Sequence, residues 1–338
     1  MNVKAWYDDL RVGSVKKPLP ILSYPCVNLL GITVGELLGS GETLARGMKA
    51  VADRVDSAAS VGMMDLSVEA EAFGSPVRFT DNEVPTVTGH IIKNEEDARG
   101  LRVPEVGQGR TGRYIDAVKQ AVTLITDRPV LAGVIGPFSL AGRLMDVTEI
   151  MVSCYTEPET VHLTLKKTAE FLISYCIAYK EAGAHGVIMA EPLTGMLSPD
   201  LAAAFSEPYV RSVIETVQDD DFVVIYHNCG NNTILMIDSI LRTGAAGYHF
   251  GNAISMGEML AHIPSGTLVM GNIDPTGQFL NGTPESIRET ALSLMSECCR
   301  HPGFVLSSGC DIPPASSWMN IDAFFAAARE FHAKCGTT

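Results

Sequence analysis

The chain has 338 residues, 46% of them hydrophobic, and a formal net charge of -14. That balance argues against nucleic acid and anionic membranes as partners, because both need a concentrated basic footprint. No apolar run nears the roughly 20 residues that span a bilayer. The start, Met1-Asn2-Val3-Lys4-Ala5-Trp6-Tyr7-Asp8-Asp9, lacks a basic region leading into an apolar one, so a soluble cytoplasmic protein is expected.

Taken in order, the residues up to Gly31 are rich in Pro, Tyr and Cys. Lys17-Pro18-Leu19-Pro20-Ile21-Leu22 reads as a proline-stiffened approach to a short strand. Thr33 and Glu36 have capping-box spacing and predict a helix start. Apolar residues recur at helical spacing over 42–61, and 62–67 reads as a buried strand ending in a polar residue. Residues 73–112, broken by Pro76, Pro85 and Pro104, read as an excursion covering one end of the core. A helix over 113–126 follows. From there strands are predicted near 130, 187, 223, 247, 268 and 304, separated by helices over 157–182, 200–217, 234–241, through 259 and over 285–300, with a terminal helix over 321–334.

Short, nearly continuous apolar strands alternating with amphipathic helices predict a parallel sheet covered by helices. With the strand at 63 and an early one near Ile21 the total is about eight. The expectation is therefore an α/β fold, a TIM-type (β/α)8 barrel with an N-terminal extension, filling 1–338 as a single domain. A doubly wound open sheet is the alternative.

Active sites of such barrels form at the carboxyl ends of the strands. In order that rim offers Asp65, Gly136-Pro137, Glu191-Pro192, His227 with Cys229, His249, Asn272 with Asp274, and Cys310 with Asp311. Tyr226-His227-Asn228-Cys229-Gly230 follows the apolar run Phe222-Val223-Val224-Ile225, and Cys310 follows Phe304-Val305-Leu306-Ser307-Ser308-Gly309. If both strands lie in one parallel sheet, one imidazole and two thiolates converge, the protein share of a zinc site with its fourth position open. Sulfur and nitrogen donors suit zinc better than magnesium, calcium or manganese. No paired C-x2-C knuckle accompanies them, which favours a catalytic ion over a structural one. Cys154, Cys176, Cys298 and Cys299 fall in or at the end of helical patterns and read as small hydrophobes.

Tyr226-His227-Asn228-Cys229-Gly230-Asn231, Gly271-Asn272-Ile273-Asp274-Pro275 and Ser307-Ser308-Gly309-Cys310-Asp311-Ile312-Pro313 resemble the methylcobamide:coenzyme M methyltransferase branch of the uroporphyrinogen decarboxylase superfamily. So do Met64-Asp65-Leu66-Ser67-Val68-Glu69-Ala70-Glu71-Ala72-Phe73-Gly74, Gly136-Pro137-Phe138-Ser139-Leu140-Ala141 and Glu191-Pro192 followed by Leu197-Ser198-Pro199. The resemblance covers nearly the whole chain in the right order, and the H-x-C…C element is its most specific part. It implies a TIM-type barrel and a zinc ion held by His227, Cys229 and Cys310. It also implies transfer of a methyl group from methylcobalamin, carried on a separate corrinoid protein, to a zinc-bound thiol such as coenzyme M.

Asp65 and Glu191 are the candidate catalytic carboxylates. Asp65 suits a proton acceptor or an orienter of a zinc ligand. Glu191 suits a group that closes the fourth position on zinc or, equally, a carboxylate bonded to backbone N–H groups. Asn272 and Asp274 are candidate cofactor-binding residues. Relatives commonly carry an acidic residue where this chain has Tyr248-His249-Phe250-Gly251-Asn252, so the acceptor or the surroundings of the metal differ here; His249 reads as a core histidine. The decarboxylase itself is a rival reading, yet its arginine-rich N-terminal signature is replaced by Ile21-Leu22-Ser23-Tyr24-Pro25-Cys26, and Arg11 and Arg46 make no cluster to grip a polycarboxylate. A non-catalytic corrinoid- or metal-binding protein would keep the same three ligands.

Overall fold

The structure, a computed structural model, describes residues 1–335. Its strands are β1 (Ser60–Val61), β2 (Val77–Arg78), β3 (Thr86–Val87), β4 (Val130–Ile135), β5 (Gly186–Ala190), β6 (Val223–Asn228), β7 (Gly247–Phe250), β8 (Leu268–Ile273) and β9 (Phe304–Ser308). Seven of them form one sheet in the order β1-β4-β5-β6-β7-β8-β9, and every neighbouring pair is parallel. Strand order follows chain order throughout. A doubly wound sheet reverses direction at a switch point, and none occurs here, so the TIM-like reading holds and the open-sheet alternative does not.

The eighth barrel position is filled without a regular strand. The Leu19 amide donates to the Leu306 carbonyl at 3.0 Å, and the Ala58 amide donates to the Pro18 carbonyl at 2.9 Å. The Ile21 amide donates to Ser308 Oγ at 3.0 Å. Residues 18–21 thus bond both to β9 and to the approach to β1. Pro18 and Pro20 have no N–H to give, so the ladder is interrupted and the strand expected near Ile21 is a segment held by isolated bonds on its two sides.

Two apolar layers follow from the alternation of side chains along the strands. Leu131, Ile188, Val223, Ile225, Leu268, Met270 and Val305 fill the barrel interior together with Leu19 and Ile21. Val224, Tyr226, Phe250 and Val269 pack outward, under the helices. The helix Val3–Val12, unforeseen in the sequence, adds Val3 and Leu10 to the inner layer. Trp6 Nε1 donates to the Ala58 carbonyl, and the Tyr7 hydroxyl to that of Ala246, both at the amino ends of strands, so this helix plugs the bottom of the barrel.

Thr33 and Glu36 form the expected capping box. Elsewhere boundaries moved. The helix expected over 42–61 is Gly41–Arg54, and the strand expected at 62–67 is Ser60–Val61, because residues 62–67 already leave the sheet to form the rim. Residues 73–112 carry the β2–β3 hairpin and the helix Glu95–Gly100. The helices Pro137–Met145 and Val147–Thr156 were not foreseen. Among the described residues no helix is long and apolar enough to cross a membrane.

Candidate metal centre

β6 extends to Asn228, so His227 lies inside the strand and only Cys229 stands in the loop. Val223 and Ile225 face the barrel interior, and two residues further along the same face comes His227. Its ring, Cys229 and Cys310 bring their donor atoms within 4.8 Å of one another. Cys310 Sγ is 3.6 Å from His227 Nε2. No other set of three His, Cys, Asp or Glu side chains among the described residues meets in this way.

The loop that presents Cys229 is held from two sides. Asn228 Oδ1 accepts from the Gly230 amide and the Thr233 hydroxyl, each at 2.9 Å, while its Nδ2 donates to the Glu191 carbonyl at 3.1 Å. Gly251 follows β7, and a β-carbon there would stand 2.5 Å from the Cα and Cβ of Cys229. Only glycine lets the two loops pass this closely.

Behind His227 lies a buried relay that assigns its proton. Ser307 Oγ donates to the Leu19 carbonyl at 2.7 Å, which uses its one hydrogen. It must therefore accept from His249 Nε2, 2.8 Å away. Neutral His249 then has a bare Nδ1, which accepts from His227 Nδ1 at 2.8 Å. With its proton on Nδ1, His227 turns the lone pair of Nε2 toward the two sulfurs. Burial first, and the neighbouring His227 second, hold His249 well below the ordinary histidine value, consistent with a neutral ring. A metal-binding histidine needs this tautomer, with the remote N–H engaged. The donor set and its orientation fit a zinc ion.

The two thiols are unequal. A hydrogen bond from Cys310 lowers Cys229. The same bond, with burial, pushes Cys310 up to about 12. Cys229 therefore gives up its proton more readily than Cys310, and a divalent cation would favour both as thiolates.

The other candidates lie elsewhere on the rim. Glu191 is fully buried, and its Oε1 accepts from the Phe138 amide at 2.8 Å. Its Oε2 accepts from the Ser139 amide and hydroxyl at 2.9 and 2.7 Å, and from Thr194 at 3.2 Å. The carboxylate thus caps the helix Pro137–Met145, and this backbone-bonded role, rather than a place among the metal donors, is what its contacts describe. Burial raises it to about 7 against those bonds. Asp65 is buried too, accepting from the Ser67 amide and hydroxyl, the Tyr114 hydroxyl at 2.8 Å and Arg110. Those donors occupy both oxygens and bring it to Arg110 instead of to the three convergent donors. Asn272 Nδ2 donates to the carbonyls of Gly251 and Ile254, both at 2.9 Å, so it braces the loop after β7. Asp274 Oδ1 accepts from the Thr276 and Gly277 amides, and its other oxygen makes no hydrogen bond among the described residues.

Sequence reasoning missed the roles of His249, Ser307, Arg110 and Tyr114. His249 carried a signal, because it stands next to the last residue of its strand as His227 does, and the two are register partners. Arg110 lies 45 residues from Asp65 in an irregular stretch, where no periodicity points to it.

The family model described as uroporphyrinogen decarboxylase (URO-D) matches residues 24–331. A curated relative, methylcobamide:CoM methyltransferase MtbA of Methanosarcina acetivorans, is 24% identical over 277 residues, covering 79% of this chain and 78% of its own. Uroporphyrinogen decarboxylase of Neisseria gonorrhoeae is 25% identical over 296 residues, covering 83% and 81%. A solved structure of a methyltransferase from Methanosarcina mazei superposes with a TM-score of 0.86 at 24% identity, over 98% of this chain and 99% of the other.

Proposed function

Because the chain belongs to the uroporphyrinogen decarboxylase family, we propose that it is a zinc-dependent methyltransferase of that superfamily, moving a methyl group between methylcobalamin on a corrinoid protein and a small acceptor thiol such as coenzyme M. The observation that carries the proposal is the convergence of His227, Cys229 and Cys310 within 4.8 Å at the carboxyl end of the barrel. The similarity to a relative named as a methylcobamide:CoM methyltransferase supports the same reading. In it the chain works as one barrel domain over 1–338, in the cytoplasm, with the corrinoid protein docking over the carboxyl face.

His227 would hold zinc through Nε2, and Cys229 and Cys310 through their sulfurs. Bound there, zinc would lower the pKa of an acceptor thiol so that the sulfur is anionic at neutral pH and able to take a methyl group. The barrel wall keeps water from one side of this centre, since His227, His249 and Ser307 are all buried. The relay through His249 holds the His227 proton on the far nitrogen, so that Nε2 keeps its lone pair for the metal.

The decarboxylase reading has less support. Ile21, Leu22, Tyr24 and Cys26, which stand where arginines would grip a polycarboxylate, are apolar and buried. Arg11 is engaged with Asp8 instead.

Zinc analysis and turnover of free methylcobalamin test the proposal together. Purified protein is expected to contain about one zinc per chain and, offered a thiol, to demethylate methylcobalamin with loss of its absorbance signature. Cys229→Ser and Cys310→Ser should each lose both properties. A protein without zinc or affinity for it would sink the idea, and zinc without demethylation would leave the non-catalytic binding protein.

A further inference from the structure

We propose that, on the methyl-transfer reading above, Arg143 is the residue that selects the acceptor by the charge of its tail, anchoring an oxyanion at the end away from the thiol. Arg143 lies on the helix Pro137–Met145, whose other residues are all buried, the arginine alone being half-buried. It makes no ion pair, no side-chain hydrogen bond and no stacking contact with an aromatic ring among the described residues. Burial alone acts on its charge, pulling its pKa down, and no carboxylate offsets that pull.

The other well-buried arginines are treated differently. Arg110 is held by Asp65, Glu71 and Ser67. Arg128 is held by Asp127 and the Val55 carbonyl. Taking a guanidinium partly out of water without a partner is unfavourable, and an oxyanion of a ligand, whose geometry matches the guanidinium fork, would offset that cost.

Arg143 also lines a cavity. About 220 Å³ of space lies between its side chain, Met64, Leu66 and Ser67 beside Asp65, and the β2–β3 hairpin at Pro85 and Thr86. No other charged side chain lines it. The space suits a molecule of a few heavy atoms, and its one cationic wall gives that molecule a preferred end. Asp65 lies on the rim just after the carboxyl end of β1, and the Arg143 helix is tied at its start to Glu191, whose amide donates to the His227 carbonyl. The cavity and the convergent His227, Cys229 and Cys310 therefore share one face of the barrel.

The test compares thiols that differ in their tails. With zinc and free methylcobalamin, wild type should prefer 3-mercaptopropionate and 2-mercaptoethanesulfonate over neutral 2-mercaptoethanol. In Arg143→Gln the ratio of kcat/KM for charged over neutral thiols should fall about tenfold or more, the scale of a lost charge-assisted hydrogen bond. Arg143→Lys should retain part of the ratio, which a merely structural loss would not. In a second arm, needing no turnover, propionate, ethanesulfonate and inorganic phosphate at constant ionic strength should raise the melting temperature of wild type more than that of Arg143→Gln, and their order identifies the preferred oxyanion. An unchanged ratio in Arg143→Gln, or a wild type indifferent to the charge of the tail, overturns the anchor. If wild type methylates no thiol, the methyl-transfer reading fails, and the melting shifts alone decide for or against Arg143.

Discussion

A histidine that is to bind a metal through one ring nitrogen depends on what holds the other. In this chain the holder is a second neutral histidine, oriented in turn by a serine whose only hydrogen is committed to a backbone carbonyl. His249→Ala is expected to weaken zinc binding by about 10- to 100-fold, the usual effect of removing such an outer partner. Competition with a chromogenic chelator measures it, and unchanged affinity would show that the relay does not matter to the metal. The three donors were legible from residue type and from their place after apolar runs. The relay was not, because alternation says which face a residue takes but not which residue of the next strand it meets. Asp65 and Glu191 show the same limit. Their rim positions were readable, and their partners, Arg110 with Tyr114 and the start of a helix 53 residues away, were not.

At the scale of elements, the helices that resisted reading were those completed from a distance. Pro137–Met145 lacks a capping side chain of its own and takes the Glu191 carboxylate in that place. A second carboxylate ties a helix to the sheet. Glu69, in Val68–Phe73, accepts from the Ile135 amide of β4 at 3.0 Å through Oε1, while its buried Oε2 has no partner. Burial raises it from 4.5 to about 8, so the folded chain holds a proton there that the unfolded chain has released. Between those values Glu69 binds more proton in the native state than in the unfolded one, so its contribution to stability falls as pH rises. Urea midpoints across pH 5 to about 8 should therefore drop more steeply for wild type than for Glu69→Gln. Parallel slopes would mean that Glu69 does not carry the proton. Pattern reading served best where an element is closed within itself, as at Thr33 and Glu36 or along the long helix Pro158–Glu181.

For the whole molecule, the barrel is a sheet of seven strands whose ends are joined by a proline-interrupted segment. The alternation of strands and helices made the architecture readable, and Pro18 and Pro20 explain why one of its staves has no regular ladder. Closure makes that segment part of the core despite its irregular backbone. The Leu19 and Ile21 amides should exchange with solvent as slowly as those of β9, and hydrogen exchange resolved to single residues checks this. Exchange on the time scale of surface loops would mean that the barrel opens there.

Ser307 gives this closure a place in the order of assembly. Its hydroxyl spans from residue 19 to the histidine pair, so the beginning and end of the chain must meet before the His227 proton is settled. Cys310 also arrives late in synthesis. A nascent chain that has emerged only as far as β8 already carries His227 and Cys229, yet it has neither the third donor nor the serine. On the zinc reading, metal uptake would become a completion signal, reporting that the last strand has docked beside residues 18–21. A chain stalled short of β9 would remain a poor sink for zinc however well its earlier strands had formed.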